Sequence, residues 1–205
     1  MNDSILMQEL NKHLEVISDK IKNKNNNDFN NVSTLTGYTS RALFLTLLTN
    51  YKPEQKESLL RFIKNDIRFL NEFIENHEVS PYNIDGLVGF GTGISYLCQS
   101  GLLDYDENEI LSELDEHIFQ LAKNDIATGN YDLFYGLIGC GNYFIQRVKV
   151  NQNIKSKLKE IGDGLVKCGE NKEKYLIWQD YKSKEDESID FSISHGLSSI
   201  NPLCI

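Results

Sequence analysis

Two side chains of this 205-residue chain have the types that proton transfer needs, and each lies just before a glycine-led apolar segment. Asp132 lies in Asn130-Tyr-Asp-Leu-Phe-Tyr-Gly136, and His195 lies in Asp190-Phe-Ser-Ile-Ser-His-Gly196. A carboxylate beside an imidazole can act as an acid/base pair, because imidazole gains and loses a proton near neutral pH. Each residue also has an ordinary structural explanation, as a helix cap or loop brace for the aspartate and as a hydrogen-bonded loop residue for the histidine. We expect the two to occupy equivalent positions in adjacent repeats.

The glycine-led segment recurs four times along the chain. It begins at Gly37, Gly86, Gly136 and Gly196, at intervals of 49, 50 and 60 residues. A period near 50 residues is typical of repeat architectures, in which one supersecondary unit buries its apolar face only against its neighbours. The loops that precede the four glycines are rich in Tyr, Asn, Asp and His. We expect these loops, which we call the rim, to carry the function.

Two kinds of predicted helix alternate between the loops. Amphipathic patterns with apolar residues at spacings of three and four cover 3–24, 53–76, 107–123 and 153–167. Segments that are apolar on most sides cover 42–48, 86–99 and 136–148, as in helices buried between others. Convincing strand alternation is absent. The pattern predicts an all-α fold with apolar helices inside and amphipathic helices outside, either an open solenoid or a closed toroid of helical hairpins.

Composition sets limits on the function. The net charge of -9 argues against a nucleic-acid or anionic-membrane surface, and 40% hydrophobic residues are typical of soluble globular proteins. The chain has no 18-residue apolar run and no basic region followed by an apolar stretch at its N-terminus, so we expect a cytoplasmic protein without a membrane span. We predict one domain over 1–205, in which 1–31 form a leading helix and an Asn-rich linker.

Cysteines and glycines give no independent site. The four cysteines are widely spaced and form no CxxC pair, so they predict neither a disulfide framework nor a local zinc knuckle; they are Cys98, Cys140, Cys168 and Cys204. The Gly86-Leu-Val-Gly-Phe-Gly-Thr-Gly93 phrase lacks the preceding strand and the following Lys-Ser/Thr of a phosphate-binding loop. Its recurrence at Gly136 favours helix packing.

Two phrases resemble the lanthionine synthetase C-like (LanC-like) family. They are Tyr131-Asp-Leu-x-x-Gly-Leu-x-Gly-x-Gly141 and Ile193-Ser-His-Gly-Leu197, in the family's order and at its repeat spacing. The resemblance implies an α/α toroid of seven inner and seven outer helices, of which this chain would contain about four inner helices. It implies addition of a peptide cysteine thiol to dehydroalanine or dehydrobutyrine, with Asp132 and His195 as catalytic residues that handle the thiol and enolate protons. Ser194 and Ser199 depart mildly from the family pattern.

The family's zinc is bound by two cysteines and a histidine in later phrases, which do not occur before Ile205. We therefore expect no cofactor in this chain, a truncated or split form that is inactive alone, a precursor peptide as substrate and a second polypeptide that supplies the zinc-binding half. One alternative is a peptide- or protein-binding half toroid without chemistry. A more distant one is a toroidal glycosidase, in which Asp85 or Asp190 would pair with Asp132. The His-Gly phrase favours the cyclase.

Overall fold

The computed structural model describes residues 3–23, 31–172, 175–178 and 189–200. Within these ranges the chain forms helices joined by short loops. They are α1 (Asp3–Asn23), α2 (Tyr38–Tyr51), α3 (Lys56–Asn76), α4 (Leu87–Gln99), α5 (Glu107–Thr128), α6 (Leu137–Arg147) and α7 (Lys155–Cys168). The all-α prediction is confirmed. No described helix is long and apolar enough to cross a bilayer.

The helices form two layers. The glycine-led helices contact one another in succession, α2 against α4 and α4 against α6. The amphipathic helices cover them, with α3 on α2, α5 on α4 and α6, and α7 on α6 and α5. The order of the two helix types in the sequence therefore corresponds to an inner and an outer layer. Closure of these layers into a toroid stays a prediction.

The core between the layers follows from helical periodicity. On α3 the residues Leu59, Ile63 and Leu70 are buried at helical spacing against the inner layer. A second cluster joins α5, α6 and α7 through Ile118, Phe144 and other fully buried apolar side chains. Burial of each such side chain is worth about 1.5–3 kcal/mol. The outer helices are thus held by one apolar face.

Buried ion pairs also connect the layers, and the sequence did not predict them. Arg147 on α6 is fully buried, and it donates to Glu107 Oε1 at 2.7 Å and to Asp115 Oδ2 at 2.8 Å on α5. Arg41 on α2 likewise donates through Nε to Asp66 Oδ2 on α3 at 2.8 Å. Removing one partner of a buried pair leaves an uncompensated charge, which makes these contacts sensitive to substitution.

Two segments differ from the prediction. On α1 the helix is confirmed, but Leu10 and Ile17 of its apolar stripe are exposed, and Ile21 packs on the α2–α4 core. After α7, strands β1 (Glu170–Lys172) and β2 (Tyr175–Ile177) form a small antiparallel hairpin. Three-residue strands are too short to show alternation. Residues 24–30 of the predicted Asn-rich segment 23–31 lie outside the described residues, as does Cys204.

Candidate functional site

Four loops with a shared conformation form the rim. We call them loop 1 (31–37), loop 2 (80–86), loop 3 (130–136) and loop 4 (190–196). In the first three, the residue after the glycine donates its backbone N–H to the carbonyl of the first loop residue. These bonds are Tyr38 N to Asn31 O at 3.1 Å, Leu87 N to Ser80 O at 2.9 Å and Leu137 N to Asn130 O at 3.0 Å. Each loop therefore folds back onto the start of its helix.

This fold-back explains the first glycine of each phrase. A Cβ at Gly86 would lie 1.8 Å from Ser80 O, and one at Gly196 would lie 2.1 Å from Asp190 O. A Cβ at the second glycine, Gly89, would lie 1.9 Å from Asn83 O of its own loop and 2.7 Å from Thr34 Cγ2 of loop 1. The phrase thus serves both the turn and the contact between repeats.

Successive loops lie side by side along the rim. Thr34 N of loop 1 donates to Ile84 O of loop 2 at 3.0 Å, and Asn83 N of loop 2 donates to Phe134 O of loop 3 at 3.0 Å. Between loops 3 and 4 the structure brings the two predicted site residues together. His195 Nδ1 lies 2.5 Å from Asp132 Oδ2.

Asp132 divides its two carboxylate oxygens between two tasks. Oδ1 accepts hydrogen bonds from Phe134 N at 2.7 Å and Tyr135 N at 2.8 Å, within its own loop. Oδ2 accepts from the His195 ring. The residue is 5% exposed, so its contacts are fixed by the surrounding loop. The Asp132 side chain therefore braces its own loop and also contacts the imidazole of the next loop, whereas its acid/base role stays a prediction.

The side chain of His195 is held by contacts with both loops and remains partly exposed. Its backbone N–H donates to Ser192 Oγ at 3.1 Å, and its ring packs edge-on against Phe134 with centroids 5.6 Å apart. The side chain is 48% exposed. Because Nδ1 faces Asp132, Nε2 is the nitrogen left for a substrate. An imidazole oriented through one nitrogen by a carboxylate is suited to general acid/base chemistry at the other.

Our prediction that Asp132 and His195 occupy equivalent positions was wrong. Asp132 lies four residues before its glycine, whereas His195 lies one residue before its own. Ser33 and Ser192 occupy the position of Asp132 in loops 1 and 4. Ser33 Oγ accepts from Leu35 N and Thr36 N at 3.0 and 3.2 Å, in the same pattern as Asp132 Oδ1. The carboxylate therefore adds a second oxygen, directed at the next loop, to a brace that serine also provides.

A second buried carboxyl group lies behind loop 3, and the sequence reasoning missed it. Asp125, on α5, is 3% exposed, and its Oδ1 accepts from Asn130 Nδ2 at 2.9 Å. Burial raises the pKa of Asp125 to about 7, and the negative charge of Asp132 adds to this effect. The predicted helix ended at Lys123, whereas α5 continues to Thr128. The spacings of four and three residues from Ile118 to Ala122 and from Ala122 to Asp125 indicate that Asp125 continues the buried face of the helix.

A three-ligand metal site does not fit the part of the chain that the structure describes. No group of three or more His, Cys, Asp or Glu side chains there could hold a metal ion. Cys140 is buried, and burial raises the pKa of its thiol. Burial also raises the pKa of Cys98 to about 11. Both thiols are therefore protonated near neutral pH.

The carboxylates of the glycosidase alternative have other surroundings. Asp190 braces loop 4, where Oδ1 accepts from Ser192 N at 2.7 Å and Oδ2 accepts from Ser192 Oγ at 3.1 Å. Asp85 is exposed on loop 2. The hydrogen-bonded partner of Asp132 on the next loop is the imidazole of His195.

A family profile described as "Lanthionine synthetase C-like protein" matches residues 28–205, which include all four rim loops. No curated protein matches the chain. Since the profile covers most of the sequence, this chain belongs to the lanthionine synthetase C-like protein family.

Proposed function

We propose that this chain provides the acid/base pair for thioether formation, in which a cysteine thiol of a precursor peptide adds to dehydroalanine or dehydrobutyrine. Membership of the LanC-like family supports the reaction class. The observation that carries the proposal is the 2.5 Å contact between His195 Nδ1 and Asp132 Oδ2, on adjacent loops of the rim. An imidazole with its other nitrogen toward solvent is the group that such a reaction needs.

The reaction moves one proton from sulfur to carbon. As the sulfur attacks the β-carbon, His195 Nε2 takes the thiol proton and a carbon–sulfur bond forms. The electrons of the Cα–Cβ double bond move onto the neighbouring carbonyl group as an enolate. The imidazolium then returns the proton to Cα, so that the addition is balanced and His195 ends in its starting state.

Asp132 positions and stabilises His195 in this scheme. Its Oδ2 holds the Nδ1–H tautomer, which leaves Nε2 as the base, and its negative charge stabilises the imidazolium that forms. Its Oδ1 keeps loop 3 in shape through Phe134 N and Tyr135 N. A carboxylate that is anchored at both oxygens costs little reorganisation during the reaction.

Zinc in the family supplies a metal-bound thiolate as the nucleophile. The described residues offer no donor set for it, and no step above is routed through a metal. The zinc-binding polypeptide predicted as a partner stays a proposal, as do the precursor peptide and the cytoplasmic location.

The test is ring formation in a dehydrated peptide that contains one cysteine, assayed with the chain and the predicted zinc-binding polypeptide. Loss of free thiol at constant peptide mass measures the addition. His195→Asn should slow it by roughly a hundredfold or more, the range of lost acid/base catalysis. His117→Asn, on the exposed face of α5, is the matched control and should keep the wild-type rate. If the wild-type chain together with that polypeptide binds the peptide but forms no ring, the result would favour the binding-module alternative and overturn the proposal.

A further inference from the structure

Among the residues that the structure describes, no cation lies beside the carboxyl group of Asp125 to balance a negative charge. This group is buried at the end of α5, directly behind the loop that carries Asp132. Its titratable neighbours are Tyr82, Asp132, Cys140 and Cys168, all neutral or acidic side chains. A buried carboxylate without a cationic partner is costly, so such groups keep their proton instead.

The hydrogen bonds of the two aspartates indicate different protonation states. Asp132 accepts from three N–H groups, as suits an ionised carboxylate. Asp125 has neutral hydrogen-bond partners instead: its Oδ1 accepts from the amide of Asn130, and the Tyr82 hydroxyl also bonds to this carboxyl group. When two carboxyl groups lie close together in such different surroundings, one proton resides on the group with fewer donors.

Asn130 connects this acid to the site. Its Nδ2 donates both to Asp125 Oδ1 at 2.9 Å and to Tyr135 O at 2.7 Å, while its backbone N–H donates to Asp125 O at 2.9 Å. Two acceptors fix the orientation of the amide, since the reversed amide would place its oxygen against both of them. Tyr135 in turn donates its backbone N–H to Asp132 Oδ1. A continuous chain of hydrogen bonds therefore runs from Asp125 to Asp132.

We propose that Asp125 is a positioning residue that works as a neutral carboxylic acid and, through Asn130, holds loop 3 in the shape that aims Asp132 at His195. Ionisation of Asp125 would place a second buried negative charge behind Asp132, where the described residues supply no cation to balance it. The raised pKa of Asp125, about 7, agrees with a proton that is retained at slightly acidic pH. The link to thiol addition rests on the proposed function, whereas the protonation state does not.

The first measurement is the infrared carbonyl band of protonated carboxylic acids in the wild-type chain. At pH 6, where ordinary aspartates are ionised, the band should be present, and it should disappear as the pH rises through about 7. It should be lost in Asp125→Asn and retained in Asp104→Asn, a control at an exposed aspartate. Retention of the band in Asp125→Asn, or its absence from the wild type at pH 6, would overturn the proposal.

The second measurement is amide hydrogen exchange at Phe134 and Tyr135, whose N–H groups bond to Asp132. The uncharged, isosteric Asp125→Asn should keep wild-type protection against exchange at pH 6. In Asp125→Ala the protection factors of these two amides should fall at least roughly tenfold, because Asn130 loses the side-chain acceptor at position 125. Equal loss in both variants would show that the negative charge is required, and would contradict the neutral acid. Neither measurement involves the peptide, so failure here is distinguishable from failure of the proposed function.

Discussion

His195 Nδ1 lies 2.5 Å from Asp132 Oδ2, although 63 residues separate the two along the chain. The aspartate is buried, whereas the imidazole is about half exposed. The shared loop conformation brings them together: loop 3 places its carboxylate four residues before the glycine, and loop 4 places its imidazole one residue before the glycine. Repetition of one loop therefore builds a pair whose members come from different loop positions.

Asp132→Ser should keep the loop-bracing hydrogen bonds of this position while removing the carboxylate that contacts His195. Serine occupies this position in loops 1 and 4, and Ser33 Oγ makes the same backbone contacts as Asp132 Oδ1. We expect Asp132→Ser to stay within about 0.5 kcal/mol of the wild-type free energy of unfolding, and to lose ring formation by roughly a hundredfold. Asp132→Ala should lose the same activity and a further 1 kcal/mol or so of stability. Urea denaturation and the thiol-loss assay measure the two effects.

That expectation would be refuted by an Asp132→Ser chain that unfolds as readily as Asp132→Ala, since serine would then not replace the brace. Full activity of Asp132→Ser would instead remove Oδ2 from the mechanism.

Gly86→Ala and Gly162→Ala should have opposite effects on stability. The backbone of Gly86 is extended, with φ of −146°, a conformation that any residue can adopt. Glycine is needed at this position because a Cβ would lie only 1.8 Å from Ser80 O. We expect Gly86→Ala to lower the free energy of unfolding by about 1–3 kcal/mol. Gly162 lies inside α7 with nothing within 4 Å of its Cβ position, so Gly162→Ala should stabilise by up to about 1 kcal/mol.

Urea denaturation midpoints of the two glycine variants decide this prediction. A Gly86→Ala chain that is as stable as the wild type would mean that loop 2 does not fold back on its helix.

The raised pKa of Asp125 should make the free energy of unfolding depend on pH. The pKa of Asp125 is raised from 3.8 to about 7 in the folded protein, so the folded state binds this proton more tightly than the unfolded state. The stabilisation is fully present below pH 3.8 and is lost as the pH rises to about 7. Relative to Asp125→Asn, the wild type should therefore lose up to about 4 kcal/mol across this range and change little above it.

Chemical denaturation of both chains at several pH values measures this difference. A constant difference across the range would contradict the raised pKa, and a wild type that gains stability relative to Asp125→Asn as the pH rises would reverse the sign of the shift.

The sequence predicted the helix types well, because an outer helix has apolar residues on one face only, whereas an inner helix is apolar on most sides. It also placed Asp132 and His195 in adjacent rim loops. It could not show which loop positions face each other, because this depends on the hydrogen bonds from loop to loop. Arg147 and Asp125 were missed for a related reason: a charged residue inside a helix looks solvent-exposed until its buried partners, or their absence, are known.

The central claim is that Asp132 and His195 act as one unit in thiol addition, and a double-mutant cycle tests it most directly. The rates of ring formation are measured for the wild type, Asp132→Ser, His195→Asn and the double variant. Residues that act as a unit are strongly non-additive, so the double variant should be no slower than His195→Asn alone. Effects that multiply in the double variant, or a wild-type rate in either single variant, would contradict the pair.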